Sequence, residues 1–88
     1  MKVKYRKRFF TDLARIPSKS RKAIEKFVFE EAPQLDSLGS SGKIERLKGY
    51  KGHYKMRFGA YRVGMLVEED TIRFERVLHR KEIYRFFP

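Results

Sequence analysis

The sequence predicts an α+β domain in which two helices pack on one face of an antiparallel sheet. Three observations lead to this prediction. The chain has 88 residues, which is enough for one domain with a single core. Apolar residues recur at helical spacing over residues 9–28, and after residue 43 they alternate with polar residues as in half-buried strands. A helix pair followed by a run of strands is typical of the α+β class, here with a sheet of four to five strands.

The first part of the chain predicts a strand and a two-helix hairpin. Residues 3–6 alternate apolar and basic side chains, as a short strand does. Residues 9–14 have helical spacing, and Pro17 ends that helix. We expect Ser18 to cap a second helix, which Pro33 stops. That second helix places four residues along one side: Ile24, Phe27, Val28 and Glu31.

The second part predicts an antiparallel meander. After a loop over residues 36–42, residues 43–47 and 54–58 alternate as strands around a turn with two glycines. Gly59-Ala60 predicts a tight hairpin, and the acidic residues 68–70 form a second tip. The core face should hold Tyr61, Val63, Met65 and Val67 from one strand, and Ile72, Phe74 and Leu78 from the last.

Two features near the end of the chain stand apart from this pattern. Arg76 interrupts the apolar face of the last strand, and the alternation gives no reason for it. Residues 79–88 predict about one helical turn. Such a turn would place Tyr84 beside Arg80, four residues earlier.

The charge balance favours a polyanionic partner. The chain has 22 Lys and Arg against 11 Asp and Glu, a net charge of +11, which most often indicates nucleic acid. Seven basic residues and one acid lie within residues 43–62, whereas four acids and one base lie within 63–75. The absence of cysteine excludes disulfides and thiol chemistry. With no apolar run of membrane-spanning length and no signal peptide at the start, we expect a cytoplasmic protein.

Four cations and one phenol are candidates for a phosphate-binding site. If the apolar residues of 54–58 face the helices, the alternate basic residues project from the opposite face of the sheet. Cations bind phosphate and an aromatic ring stacks on a base, so the set suits RNA: Lys55, Arg57, Arg62, Arg80 and Tyr84. The alternative is that exposed strand positions merely favour long charged side chains.

Metal chemistry has little support in the sequence. His53 and His79 are the two histidines, and neither has a partner at metal-ligand spacing. An enzyme built on Lys, Arg and Tyr could still cleave RNA through the substrate's own 2′-hydroxyl. That reaction requires a base, cations that stabilise the phosphorane, and an acid for the leaving 5′-oxygen.

The ordered motifs of the second half resemble RelE-type toxins of the RelE/ParE toxin–antitoxin superfamily. They are Leu47-Lys48-Gly49, Tyr54-Lys55-Met56-Arg57, Tyr61-Arg62-Val63 and the run from Val77 to Tyr84. The resemblance spans the whole chain, residues 1–88, and implies a RelE-like fold. It also implies a metal-independent, ribosome-dependent endonuclease that cuts mRNA in the A site, leaving a 2′,3′-cyclic phosphate and a 5′-hydroxyl. No cofactor is implied. The implied partners are the ribosome, mRNA and an acidic RelB-like antitoxin bound in a hetero-oligomer.

The resemblance assigns roles to the five site residues. Lys55 is the candidate general base, because arginine cannot release its proton near neutral pH. Arg57 takes the second basic position, Arg62 binds phosphate, and Arg80 stabilises the transition state or assists the leaving group. Tyr84 is the match to an aromatic residue that stacks on or orients the substrate, with Phe86 as a rival. Further cations are expected to dock on ribosomal RNA or the antitoxin: Lys48, Lys51, Lys4, Arg6, Lys7 and Arg8.

Two other functions remain open at this point. A ParE-like toxin shares the fold but inhibits DNA gyrase and cleaves nothing. A non-catalytic RNA-binding domain would use the basic face only to hold phosphates.

Overall fold

A five-stranded mixed sheet with helices on one face forms the framework of the protein. The computed structural model describes residues 1–40 and 43–88. The strands are β1 (Lys2–Tyr5), β2 (Ile44–Arg46), β3 (His53–Phe58), β4 (Tyr61–Glu68) and β5 (Thr71–His79). The α-helices are α1 (Lys7–Ala14), α2 (Ser18–Glu25) and α3 (Ile83–Phe86). The strand order is β1-β5-β4-β3-β2, with β1 parallel to β5 and the other pairs antiparallel, so the expected α+β class and meander are confirmed.

The core lies between the sheet and the helices. Buried residues on neighbouring strands lie side by side, since Val63 of β4 pairs with Met56 of β3 and with Val77 of β5. Aromatic rings from β1 and β5 continue this layer, since Tyr5 stacks on Phe74 with 5.6 Å between ring centroids. The buried core residues that the helical half of the chain contributes, including Ile16 between α1 and α2, are Phe9, Leu13, Ile16, Ile24, Phe27, Val28 and Ala32. The predicted alternation of β3 and β4 is thereby confirmed.

The ends of α2 differ from the prediction. Pro17, not Ser18, occupies the N-cap position, and Ser18 is the first helical residue. The Pro17 carbonyl accepts the N–H groups of residues 20 and 21, each at 3.0 Å. After Glu25 the helical path continues as a π-helical turn (Lys26–Glu31) and a 3₁₀ turn (Ala32–Gln34), so Pro33 lies inside it and does not stop it.

The π-helical turn also corrects the expected apolar side of the second helix. Wider turns rotate the following residues, and Glu31 is exposed whereas Ala32 is buried.

In the predicted loop, residues 38–40 form a 3₁₀ turn, while residues 41–42 lie outside the described part of the chain. Within the described residues, none of the helices is long and apolar enough to cross a membrane.

A β-bulge between β4 and β5 explains the position of Arg76. Gly64 pairs with Arg76 but Met65 pairs with Phe74, so Glu75 is an extra residue in β5. An extra residue moves every later side chain to the other face. Val77 therefore enters the core, at 1% exposure, and the expectation that Leu78 would do so is wrong.

Candidate active site

The face of the sheet opposite the helices is crossed by residues 83–88, here called the C-terminal segment. It consists of α3 and two following residues, and the Phe87 N–H donates to the Ile83 carbonyl at 2.8 Å. The Phe87 ring lies on Gly64 in β4 and is 4% exposed. His53 flanks that ring, with 5.6 Å between centroids. The sequence predicted a helical turn here, but not that it would fold back over the sheet.

Lys55 and Tyr84 meet beside this segment. Lys55 pairs with Gly64 across β3 and β4, so its side chain lies on the same face of the sheet as the Phe87 ring. The ammonium Nζ donates to the Tyr84 hydroxyl at 2.5 Å and lies 4.9 Å from the centre of the tyrosine ring. Glu45 of β2 places a carboxylate oxygen 3.9 Å from the same ammonium. The lysine side chain is 24% exposed and Tyr84 67%, so a ligand can reach both.

The three arginines lie at the end of β3 and β4 where the hairpin joins these strands. Arg57 pairs with Arg62 directly across β3 and β4, one strand alternation from the Lys55–Gly64 pair. The Arg62 guanidinium donates to the carbonyls of Gly59 and Tyr61, at 2.8 and 2.9 Å, which fixes it at the hairpin. The Arg80 N–H donates to the Ala60 carbonyl at 2.8 Å, so that residue is anchored at the same hairpin with its side chain exposed. The structure thus places the three arginines at the β3–β4 hairpin end of the site.

Phe86 occupies a different position from Tyr84. Its ring lies on the Arg76 guanidinium, 5.2 Å from the ring centre, and not on Lys55. Arg76 is held in turn by the buried Asp12 of α1, through contacts of 2.7 and 3.1 Å. Asp12 also accepts the Val77 N–H at 3.2 Å. The side-chain hydrogen bonding of Arg76 to Asp12, together with the charge of that carboxylate, raises the pKa of Arg76 above its already high ordinary value.

The comparison with known proteins decides the family. A family model described as the ParE toxin of type II toxin–antitoxin systems, parDE, matches residues 3–84. The chain belongs to this toxin family. Its described part has a five-stranded sheet, with basic residues on the strands that the motifs indicated.

Full-length relatives are RelE toxins, which confirms the RelE-type resemblance. Toxin RelE3 of Methanocaldococcus jannaschii is 46% identical over 89 residues, covering 100% of both chains. A chain of the RelB–RelE antitoxin–toxin complex from Methanococcus jannaschii matches with a TM-score of 0.81 and 44% identity, over 97% of this chain and 99% of that one. The intact E. coli RelBE complex matches with a TM-score of 0.66 at 16% identity, over 86% and 92%, and shares the fold.

The other basic residues singled out in the toxin sequence lie in different parts of the structure, although Arg6, Lys7 and Arg8 line one hollow together. Lys7 and Arg8 are exposed at the start of α1, whereas Arg6 forms an ion pair with Glu75 at 3.1 Å. Lys4 and Lys51 line separate hollows, and each hollow also contains Glu68 and Glu69. Lys48 is exposed in the β2–β3 turn.

The two histidines of the toxin each form a hydrogen bond with the backbone. The Nδ1–H of His53 donates to the Lys51 carbonyl at 3.0 Å, and its ring contacts Phe87. Nδ1 of His79 accepts the Lys81 N–H at 3.2 Å. Among residues 1–40 and 43–88, no group of three or more His, Asp or Glu side chains could hold a metal ion.

Several residues around the toxin's site were missed by the sequence reasoning. Glu45 lies 3.9 Å from Lys55 and Phe87 lies on Gly64, the cross-strand partner of Lys55, and no local pattern links either residue to β3. Asp12 of α1, which holds Arg76, was missed in the same way. Gly64 was the available signal, because a glycine inside a strand often marks the close approach of another group.

Proposed function

We propose that the toxin is a ribosome-dependent mRNA endonuclease that cuts in the A site without a metal ion. The observation that carries this proposal is the Lys55–Tyr84 contact on a solvent-accessible face, next to the Arg57–Arg62 pair. A deprotonated lysine can accept a proton, and arginines can bind a phosphate. The groups needed for proton transfer and for phosphate binding therefore lie side by side. The RelE names of the relatives support the same activity.

The proposed reaction uses the substrate's 2′-hydroxyl as nucleophile. Lys55, in its deprotonated form, takes the hydroxyl proton as O2′ attacks the adjacent phosphorus. Arg57 and Arg62 neutralise the charge that develops on the phosphorane oxygens. The P–O5′ bond then breaks, leaving a 2′,3′-cyclic phosphate. Arg80 neutralises the departing 5′-oxygen, which takes a proton from solvent and becomes a 5′-hydroxyl.

Tyr84 has two features that suit this reaction. Its hydroxyl accepts a hydrogen bond from Lys55 and so orients the lysine, while its exposed ring offers a surface on which a base can stack. Phe86 is proposed to have no direct part, because it lies on Arg76.

We further propose that an acidic RelB-like antitoxin binds the toxin as a hetero-oligomer in the cytoplasm. The titles of related structures name RelB–RelE complexes, and a chain of net charge +11 favours an acidic partner. Phe10 and Phe29 supply an apolar contact, since their exposed rings lie parallel with centroids 6.3 Å apart.

The antitoxin contact is tested with the product of a neighbouring reading frame that encodes a short acidic protein. Replacing Phe10 and Phe29 together by serine should weaken its binding about tenfold or more, measured by calorimetry. Tyr50→Ser is the matched control, because Tyr50 is also an exposed aromatic residue but lies in the β2–β3 turn. Equal affinity of the double variant and wild type would contradict this contact.

Gyrase inhibition is the second candidate function, because the matching family model is described as a ParE toxin. Primer extension on an mRNA in a translating extract separates the candidates. Codon-phased cuts support the nuclease, whereas intact message together with DNA damage in cells supports a gyrase inhibitor. Intact message without DNA damage supports a non-catalytic RNA-binding domain. Cuts in naked RNA would contradict ribosome dependence.

A further inference from the structure

The contact between Phe87 and Gly64 depends on the absence of a side chain at Gly64. A Cβ atom built on Gly64 would lie 2.6 to 2.8 Å from three carbon atoms of the Phe87 ring, far inside van der Waals contact. The ring is almost fully buried there, and His53 packs beside it. Gly64 therefore provides a seat for Phe87 in the middle of β4.

This seat is adjacent to the proposed base. Gly64 is the direct cross-strand partner of Lys55, so the ring of Phe87 and the lysine side chain occupy neighbouring positions on one face. Tyr84 precedes Phe87 by three residues, within the single turn closed by the Phe87 N–H and the Ile83 carbonyl. One turn of backbone thus connects the seated ring to the hydroxyl that contacts Lys55.

We propose that Gly64 and Phe87 are positioning residues, which hold the Tyr84 hydroxyl on the Lys55 ammonium. Tyr84 is itself 67% exposed, so its placement depends on the buried side chains on either side of it, Ile83 at 1% and Phe87 at 4% exposure. α3 has only four residues, too short to be stable without packing. The consequence for catalysis rests on the proposed function, but the placement of Tyr84 does not.

Gly64→Ala tests the placement by adding a single methyl group beneath the ring. The backbone of Gly64 is that of a paired strand, where alanine is accepted, so the sheet should persist. The structure predicts a nuclear Overhauser contact between the Tyr84 ring and the Lys55 side-chain methylenes in the wild-type chain, and we expect Gly64→Ala to abolish it. The NMR signals of core residues such as Val63 and Val77 should remain those of a folded chain. Persistence of the Tyr84–Lys55 contact in a chain whose Phe87 signals have moved would overturn the proposal.

The kinetic readout separates positioning from general stability. Cleavage of ribosome-bound mRNA by Gly64→Ala should lose about 100-fold in kcat with little change in KM, because a displaced group near the reacting atoms costs rate rather than binding. In a Tyr84→Ala background, the same substitution should cause no further loss. A full additional loss in that background would also overturn the proposal.

A second variant, and the comparison of the NMR contact with cleavage, distinguish the possible outcomes. If Gly64→Ala unfolds, Phe87→Ala removes the ring without adding an atom, and the same loss of contact is expected. If wild type makes no cut in ribosome-bound mRNA, the proposed function fails, and the NMR contact alone decides the role of Gly64 and Phe87. If the contact disappears while cleavage is unchanged, the proposed role of Tyr84 fails and the positioning is upheld.

Discussion

The ammonium of Lys55 in β3 donates to the hydroxyl of Tyr84 at 2.5 Å, across 29 residues of sequence. This contact links the sheet to the C-terminal segment at the point where the proposed chemistry takes place. The neighbouring Glu45 carboxylate and the Arg57–Arg62 pair complete the charged surroundings. The activity of the toxin should therefore depend on residues far apart in the sequence.

Removal of the proposed base or of the arginine at the leaving group should abolish toxicity without unfolding the chain. Lys55→Ala and Arg80→Ala each delete a surface-accessible charge, and neither side chain is part of the core. Growth of cells that express each variant measures toxicity, and thermal unfolding measures the fold. Lys22→Ala, on exposed α2, is the control and should arrest growth like wild type. Full growth arrest by the double variant would exclude this site.

The hydroxyl and the ring of Tyr84 should contribute separately. Tyr84→Phe removes the hydrogen bond to Lys55 but keeps the stacking surface, so we expect a loss of about tenfold in kcat, equivalent to one net hydrogen bond. Tyr84→Ala should lose more. Single-turnover cleavage of ribosome-bound mRNA measures both, with Tyr50→Phe as a chemically matched control in an exposed turn. A Tyr84→Phe enzyme with wild-type kcat would restrict the residue to stacking.

The Asp12–Arg76 pair should contribute far more to stability than a surface pair. Asp12→Ala leaves Arg76 without its partner in a mostly buried position, and we expect a loss of about 3–5 kcal/mol in the free energy of unfolding. The control is Glu25→Ala, which breaks a more exposed pair with Arg21 at 3.7 Å and should cost about 0.5 kcal/mol or less. Urea denaturation measures both. Similar losses for the two variants would contradict the expectation that burial makes the Asp12–Arg76 pair more important for stability than the exposed pair.

Tyr5 should make the toxin less stable at alkaline pH. Burial raises the pKa of Tyr5 above its ordinary value, and its hydroxyl donates to the Val28 carbonyl at 2.6 Å. Above about pH 10 the unfolded chain loses this proton before the folded chain does, so the stabilisation is present below that pH and declines above it. The difference in unfolding free energy between wild type and Tyr5→Phe should be about 1 kcal/mol at pH 8 and shrink as the pH rises above 10. A difference that stays constant to pH 11 would contradict the role of burial.

Periodicity was sufficient to predict most of the sheet. Tyr61, Val63, Met65 and Val67 alternate without interruption, and a one-residue shift in register would expose all of them, so the meander of β2 to β5 could be predicted. The parallel pairing of β1 with β5 was not predicted, because it joins strands at opposite ends of the chain. The bulge at Glu75 could not be predicted in the same way. It is a shift in the pairing of β4 with β5, and Arg76, which follows the extra residue, is bound by Asp12 of α1, far away in the sequence.

The site was predicted in part for the same reason. Lys55, Arg57 and Arg62 lie on paired strands, where alternation determines the face on which each side chain lies. Tyr84 and Phe86 follow the last strand, and helical spacing alone could not decide between them. The structure places Tyr84 on Lys55, and it holds Phe87 on Gly64, a contact between residues 23 positions apart that the sequence pattern does not reveal.

The central claim is that the toxin cuts mRNA by attack of the 2′-hydroxyl on the ribosome. Its most direct test is an mRNA with a single 2′-deoxynucleotide on the 5′ side of a cut previously mapped in a translating complex. We expect cleavage at that phosphate to disappear while other cuts in the same message continue. Unmodified message should give a 2′,3′-cyclic phosphate, and none with Lys55→Ala. Continued cleavage at the deoxy position by wild-type toxin would contradict the mechanism.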